Sequence, residues 1–118
     1  MTRFLAIILL LLTSATTQSA TLQVGAEQPE RYLPLLAGKK VGLVVNQTSR
    51  VKQTHLVDFL MSRNVAVQAV FAPEHGFRGK LGAGEKVTDG IDPKTGLPIR
   101  SLYGKYKKPD QAMLNDID

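Results

Sequence analysis

Cysteine and tryptophan are absent from the 118 residues, and only 6% are aromatic. Without cysteine no disulfide can form, so an exported domain of this chain must be held by its core. Anchoring through a lipid on a cysteine after a leader is closed for the same reason. The aromatic residues are too few and too scattered to stack the bases of a nucleic acid, and no nucleic-acid partner is expected. The polar turn Asn46-Gln47-Thr48-Ser49 contains no glycine, which argues against a phosphate-cradling dinucleotide turn. There is no P-loop lysine pattern and no serine in a nucleophile elbow. The two histidines, His55 and His75, lack metal-ligand spacing. A zinc site from His75, Glu74 and Asp89 or Asp92 is the weaker reading, and no metal or cofactor is expected.

The N-terminal residues, by contrast, are strongly patterned. Arg3 precedes an apolar run from Phe4 to Leu12, and small and polar residues follow as far as Ala20. This is the layout of a secretory signal peptide over residues 1–20. The run is shorter than the roughly 20 residues that span a bilayer, so no stable membrane insertion is expected once it is cleaved. An exported protein, periplasmic or extracellular, is the expectation. The formal net charge is +5, and removing residues 1–20 takes away one cation, Arg3. Surplus positive charge suits an anionic polymer such as cell-wall glycan, or simply a lysine-rich solvated face.

Residues 21–37 form a weakly patterned start, with Tyr32, Leu33, Leu35 and Leu36 as candidates for packing. Val41 to Val45 is a short apolar run rich in β-branched residues, typical of a strand buried on both faces. From Thr54 the period becomes helical, with Leu56, Phe59 and Leu60 on one face and Thr54 placed to cap the first turn. A second apolar strand covers Val65 to Phe71. Strand, helix and strand in this space make a βαβ unit with parallel strands that end on one rim. Asn46 and Glu74 then share that rim.

The segment from Gly76 to Gly104 holds seven of the ten glycines. Asp89, Asp92, Lys94 and Thr95 among its turn residues indicate a built loop rather than a linker. A third, partly polar strand is expected over Leu97–Tyr103, and a short helix from Pro109 through Met113 and Leu114. The chemistry concentrates in Phe71-Ala-Pro-Glu-His-Gly-Phe-Arg-Gly79. Here a strand stops at Pro73, two proton-transferring residues follow, and Gly76 and Gly79 turn the chain. A carboxylic acid just beyond a strand's carboxyl end faces the ligand crevice of an open α/β sheet, which makes Glu74 a candidate acid/base. An ordinary polar loop is the competing reading.

Five motifs in order extend this reading: Gly42-Leu-Val-Val-Asn46, the Pro-Glu-His-Gly stretch, Ala83-Gly-Glu85, Asp92-Pro-Lys-Thr-Gly-Leu-Pro98, and Ser101-Leu-Tyr-Gly104 with Lys108-Pro109. From about Gly38 to Asp118 the chain resembles the peptidoglycan exo-β-N-acetylmuramidases of the NamZ type. The resemblance implies an α/β, Rossmann-like parallel sheet, with residues 38–118 the N-terminal part of a larger catalytic domain. It implies a glycoside hydrolase that releases terminal N-acetylmuramic acid from the non-reducing end of peptidoglycan fragments, the residues present being inactive alone. Glu74 is then the catalytic carboxyl group and Glu85 a secondary acidic group, with Asp89 and Asp92 as alternatives for the second role. Asn46, His75, Arg78 and Asp92 are the expected substrate-binding residues. For Arg78 a bidentate pair with the lactyl carboxylate stands against a structural salt bridge, and for Asn46 a sugar contact stands against capping its own turn. A non-catalytic wall-binding α/β module is the alternative function.

Overall fold

The computed structural model describes residues 20–118, so the leader expected at 1–20 lies almost wholly outside the described residues. A single 3-10 turn at Gly25–Glu27 precedes helix α1, Pro29–Leu36. Pro29 suits the first helical turn, where its missing N–H has no partner to lose. Tyr32, Leu33 and Leu36 pack against the core, whereas Leu35, expected to do the same, is 73% exposed. Helical periodicity explains the split, because position 35 lies about 100° around the helix from the centre of the stripe formed by 32, 33 and 36.

Strand β1, Lys40–Val44, begins the main sheet. A two-stranded hairpin follows, β2 at Arg50–Val51 and β3 at Thr54–His55, and it leads directly into α2, Leu56–Ser62. The hairpin has no hydrophobic alternation to announce it, and Lys52 turns it with a φ of 52°. The cap of α2 is His55 rather than Thr54: its Nδ1 accepts the N–H of Val57 at 3.2 Å. Strand β4, Ala66–Ala72, is followed by the long loop, by β5 at Gly90–Ile91, and by β6 at Pro98–Ser101. The last element is α3, Gln111–Leu114, capped by Asp110, whose Oδ1 accepts the N–H of Met113 at 2.9 Å.

The sheet order is β1-β4-β6-β5. β1 and β6 both pair parallel with β4, and only β5 is antiparallel, against β6. The expected α/β architecture with a mainly parallel sheet is therefore present. β4 lies between two neighbours and carries the core residues Val67, Val70, Phe71 and Ala72. Val57 and Leu60 of α2, with Phe77, Val87 and Leu97 from the loops, complete it. Each fully buried side chain of this size contributes about 1.5–3 kcal/mol. β1 is less enclosed, and Val44 is 62% exposed.

Lys40 gives both its N–H and its C=O to Asp118, at 2.7 Å to Oδ2 and 3.0 Å from the Asp118 N–H. The two backbone groups of one strand residue point the same way, so Asp118 stands on the edge of β1 away from β4. Ile117 lies over Gly42, where a Cβ would come within 2.6 Å of the Ile117 Cδ1.

Gly79 is the tightest of the loop glycines. Its φ is +67°, and a Cβ there would approach the Cβ of Gln47 to 2.6 Å. Gly96 has a similar φ of +73° but open space around it. Gly79→Ala is expected to cost about 1–3 kcal/mol in chemical denaturation, clearly more than Gly96→Ala, which bears only the conformational penalty. Equal midpoints for the two variants would show that the Gln47 contact does not constrain the loop.

Candidate functional site

The chain leaves β4 at Ala72 and turns at once, the N–H of Gly76 closing on the carbonyl of Pro73 at 3.1 Å. His75 is the third residue of this turn and has a φ of 70°, followed by Gly76 at 69°. A positive φ there is normally the place of glycine or asparagine, although histidine tolerates it better than most residues. The imidazole is fixed by its Nδ1–H, which donates to the carbonyl of Leu81 at 3.3 Å. Two left-handed residues in succession thus aim the preceding side chain, Glu74, away from the core.

The rest of the motif is turned inward. Phe77 is buried and meets the ring of His55 edge-on, with centroids 5.4 Å apart. His55 lies beneath the rim with its Nε2–H shared between the carbonyls of Asn46 (2.8 Å) and Phe77 (3.0 Å), while Nδ1 caps α2. One neutral imidazole therefore ties the end of β1, the start of α2 and the loop after β4. Sequence spacing gave no hint of this role; the only cue was a histidine directly before a helical apolar period.

Arg78 does not face a ligand alone. Its Nε and Nη2 donate to Asp92 at 2.9 and 2.7 Å, and its Nη1 and Nη2 donate to Asp58 at 3.2 and 3.1 Å. Lys94 adds a third cationic contact, 2.7 Å from Asp58. Asp92 is 1% exposed and also accepts the N–H and hydroxyl of Thr95. The direct bond from Arg78 holds the Asp92 pKa down to about 2, against the opposing effect of burial. Burial works to raise the Asp58 pKa, but its bonds to Arg78 and Lys94 outweigh this and lower it. Arg78 in turn is held more firmly protonated, chiefly by Asp92. Arg78 and Asp92, expected at the substrate, are thus joined to each other in the structure: a bidentate guanidinium–carboxylate pair forms, but with an internal partner.

Asn46 is likewise engaged, since its Oδ1 accepts the N–H and hydroxyl of Thr48 at 2.9 and 2.7 Å. That is the turn-capping alternative. Glu85 is exposed, in a turn closed by its own N–H on the Gly82 carbonyl.

Glu74 is different. Its Oε1 accepts the N–H of Gly84 at 3.1 Å, which links the acid to the glycine-rich loop. The nearby Glu74 carboxylate favours the protonated hydroxyl of Tyr103 and raises its pKa. Tyr103 was not among the residues expected at the site, because it follows a separate strand and nothing in the spacing joins it to Glu74. Beside this pair opens a cavity of about 510 Å³ that includes Gly84, Lys86, Asp89, Tyr103 and Tyr106 in its lining. Asp89 is anchored there by the N–H of Ser101 at 2.7 Å.

The family model for the N-terminal part of exo-β-N-acetylmuramidase NamZ matches residues 41–118. The chain belongs to the NamZ N-terminal family. It is 43% identical over 89 residues to the peptidoglycan β-N-acetylmuramidase NamZ of Bacillus subtilis (strain 168), covering 74% of this chain and 22% of that protein. Two crystal structures of DUF1343 family proteins from Bacteroides fragilis NCTC 9343 match at 41% identity, each with a TM-score of 0.64. They cover 80% and 75% of this chain, and 23% and 22% of theirs. The chain therefore spans about a fifth of the length of these NamZ-like relatives.

The Asp92 carboxyl group has a folded pKa below the roughly 3.9 of an unfolded aspartate, so its stabilisation is full above that value and is lost as pH falls toward 2. Denaturant unfolding should therefore show stability falling by on the order of 1–2 kcal/mol between about pH 4 and pH 2 on account of this group. Asp92→Asn should lower stability at pH 7 and flatten that acid limb. A variant with an unchanged acid limb would dissociate the Arg78 pair from acid stability.

Proposed function

We propose that the protein is an exo-acting glycoside hydrolase that releases terminal N-acetylmuramic acid from the non-reducing end of peptidoglycan glycan fragments, with Glu74 as its proton-transferring group. The observation that carries this is the orientation of the motif. Phe77 and Arg78 are spent on the fold, whereas the Glu74 carboxylate accepts the N–H of Gly84, a residue that lines the tyrosine-edged cavity together with Asp89. The named activity of the Bacillus subtilis relative supplies the reaction class.

Hydrolysis of a glycoside breaks the bond between the anomeric carbon and the leaving oxygen. That oxygen must receive a proton, and the oxygen of water ends on the anomeric carbon. Glu74 is the proposed donor of that proton. The Gly84 N–H holds one oxygen of its carboxyl group, which limits the orientation left to be found during reaction. Tyr103 and Tyr106 edge the cavity, each with a lysine ammonium 5.0 Å from its ring centroid (Lys107 and Lys105), and their rings are the proposed packing surface for a sugar. Glu85, on the turn that also carries Gly84, is the proposed second acidic group, and Asp89 at the cavity wall is its alternative. His75 acts by holding the turn that aims Glu74.

Glu74→Gln keeps the shape and the Gly84 contact but has no ionisable group. It is expected to lower turnover of a chromogenic muramic acid glycoside by about 10²-fold or more in the full-length protein, with an unchanged melting temperature. Near wild-type turnover would sink the assignment.

The leader-like pattern of residues 1–20 supports export as part of the same reading. Expressed with its native start in a bacterium, the protein should be cut between Ala15 and Thr21 and be recovered outside the cytoplasm. Recovery solely from the cytoplasm with Met1 intact would contradict this.

A further inference from the structure

A second groove, of about 430 Å³, is lined by Arg78 and Lys80 of the loop that follows Glu74. Four cationic side chains line it, Arg50, Arg78, Lys80 and Lys94, against a single carboxylate, Asp58. Asp58 is already shared between Arg78 and Lys94. Arg50 and Lys80 are exposed and have no carboxylate partner among the described residues. Arg50 is nevertheless positioned, because its Nη2 donates to the carbonyl of Gln53 across the hairpin. The floor of the groove is the rigid set of His55, Asp58 and Arg78. Gln47, Gln53 and Thr54 add neutral hydrogen-bonding groups along its walls.

A lysine-rich solvated face would spread its charges to limit their repulsion. Here cations from three separate segments converge: the hairpin after β1, the loop after β4 and the turn before β6. Two of these segments follow the carboxyl ends of parallel strands, the edge at which open α/β sheets receive ligands. Two unmatched cations with amide and hydroxyl groups beside them are the chemistry that recognises a carboxylate on a sugar.

We propose that this groove binds a carboxylate of the saccharide substrate, with Arg50 and Lys80 as its cationic contacts. The proposal rests on the glycan-hydrolase reading and assigns the anion of that substrate to a place other than Arg78, whose guanidinium is occupied by aspartates. The carboxylate has two sources, the lactyl group of muramic acid or a peptide attached to it.

Binding to the full-length protein is measured by calorimetry with three probes: N-acetylmuramic acid, its neutral lactyl amide, and an N-acetylmuramoyl dipeptide whose only carboxylate lies on the peptide. Wild-type protein should bind at least one acidic probe about tenfold more tightly than the lactyl amide, with the preference shrinking as salt is raised. Whichever acid is preferred identifies the source. Lys80→Glu, which breaks no internal bond, should abolish the preference, and Arg50→Gln should weaken it. Melting temperature and binding of the neutral probe serve as the folding control. An acid preference undiminished in Lys80→Glu, or no acid preference in wild type, would overturn the groove assignment. Loss of the preference together with full turnover in Glu74→Gln would uphold the groove and remove the catalytic assignment, so the two readings fail separately.

Discussion

The guanidinium of Arg78 sits between Asp58 in the first turn of α2 and Asp92 at the turn before β6. It therefore pins the loop after β4 to two elements that the chain reaches at quite different points. Burying charge is costly unless the geometry satisfies it, and a half-satisfied pair would destabilise the fold. Here the fork of Arg78 meets both oxygens of each carboxylate, and Thr95 and Lys94 take remaining lone pairs. Removing one partner would leave the others charged beneath the rim. The Glu74 turn and the basic groove are both built outward from this network.

His55 provides the neutral counterpart. Its ring joins the carbonyl of Asn46 at the end of β1 to the carbonyl of Phe77 in the loop after β4, so the two strand ends move as one rim. Neither contact involves a charge, and neither weakens with salt. The arrangement leaves the segment from Pro73 to Gly76 as the part free to take an unusual backbone. His75 bears the positive φ there, a conformation worth about 1–3 kcal/mol of strain when held by its surroundings. Its side chain offsets part of that cost through Leu81, and the result is a fixed direction for Glu74.

Much of the frame was legible in the sequence because burial writes a strong pattern. The apolar runs at 41–45 and 65–71 became β1 and β4, and the expected third strand became β6. The Asp92 turn was recognisable as built structure because aspartate followed by threonine and glycine closes local hydrogen bonds, while Asp89 reaches across to Ser101. The hairpin of β2 and β3 was not legible, since two-residue strands carry no period. The partners of Arg78 were not either: a guanidinium that binds an internal carboxylate and one that binds a ligand have the same sequence. Tyr103 escaped for a related reason, because its nearness to Glu74 depends on the register of β6 beside β4.

From β1 the sheet grows to one side through β4, β6 and β5, and Asp118 hydrogen-bonds Lys40 at the amino end of β1 from the other side. The carboxyl end of β1 shares a rim with that of the parallel β4, the edge at which open α/β sheets receive ligands. At that end lie the Asn46–Ser49 turn and the carbonyl held by His55. Gln47 stands between them and the basic groove, pressed against Gly79 so closely that no side chain fits. The contact brings the turn after β1 against the loop after β4 and sets Gln47 beside Lys80 in the basic groove.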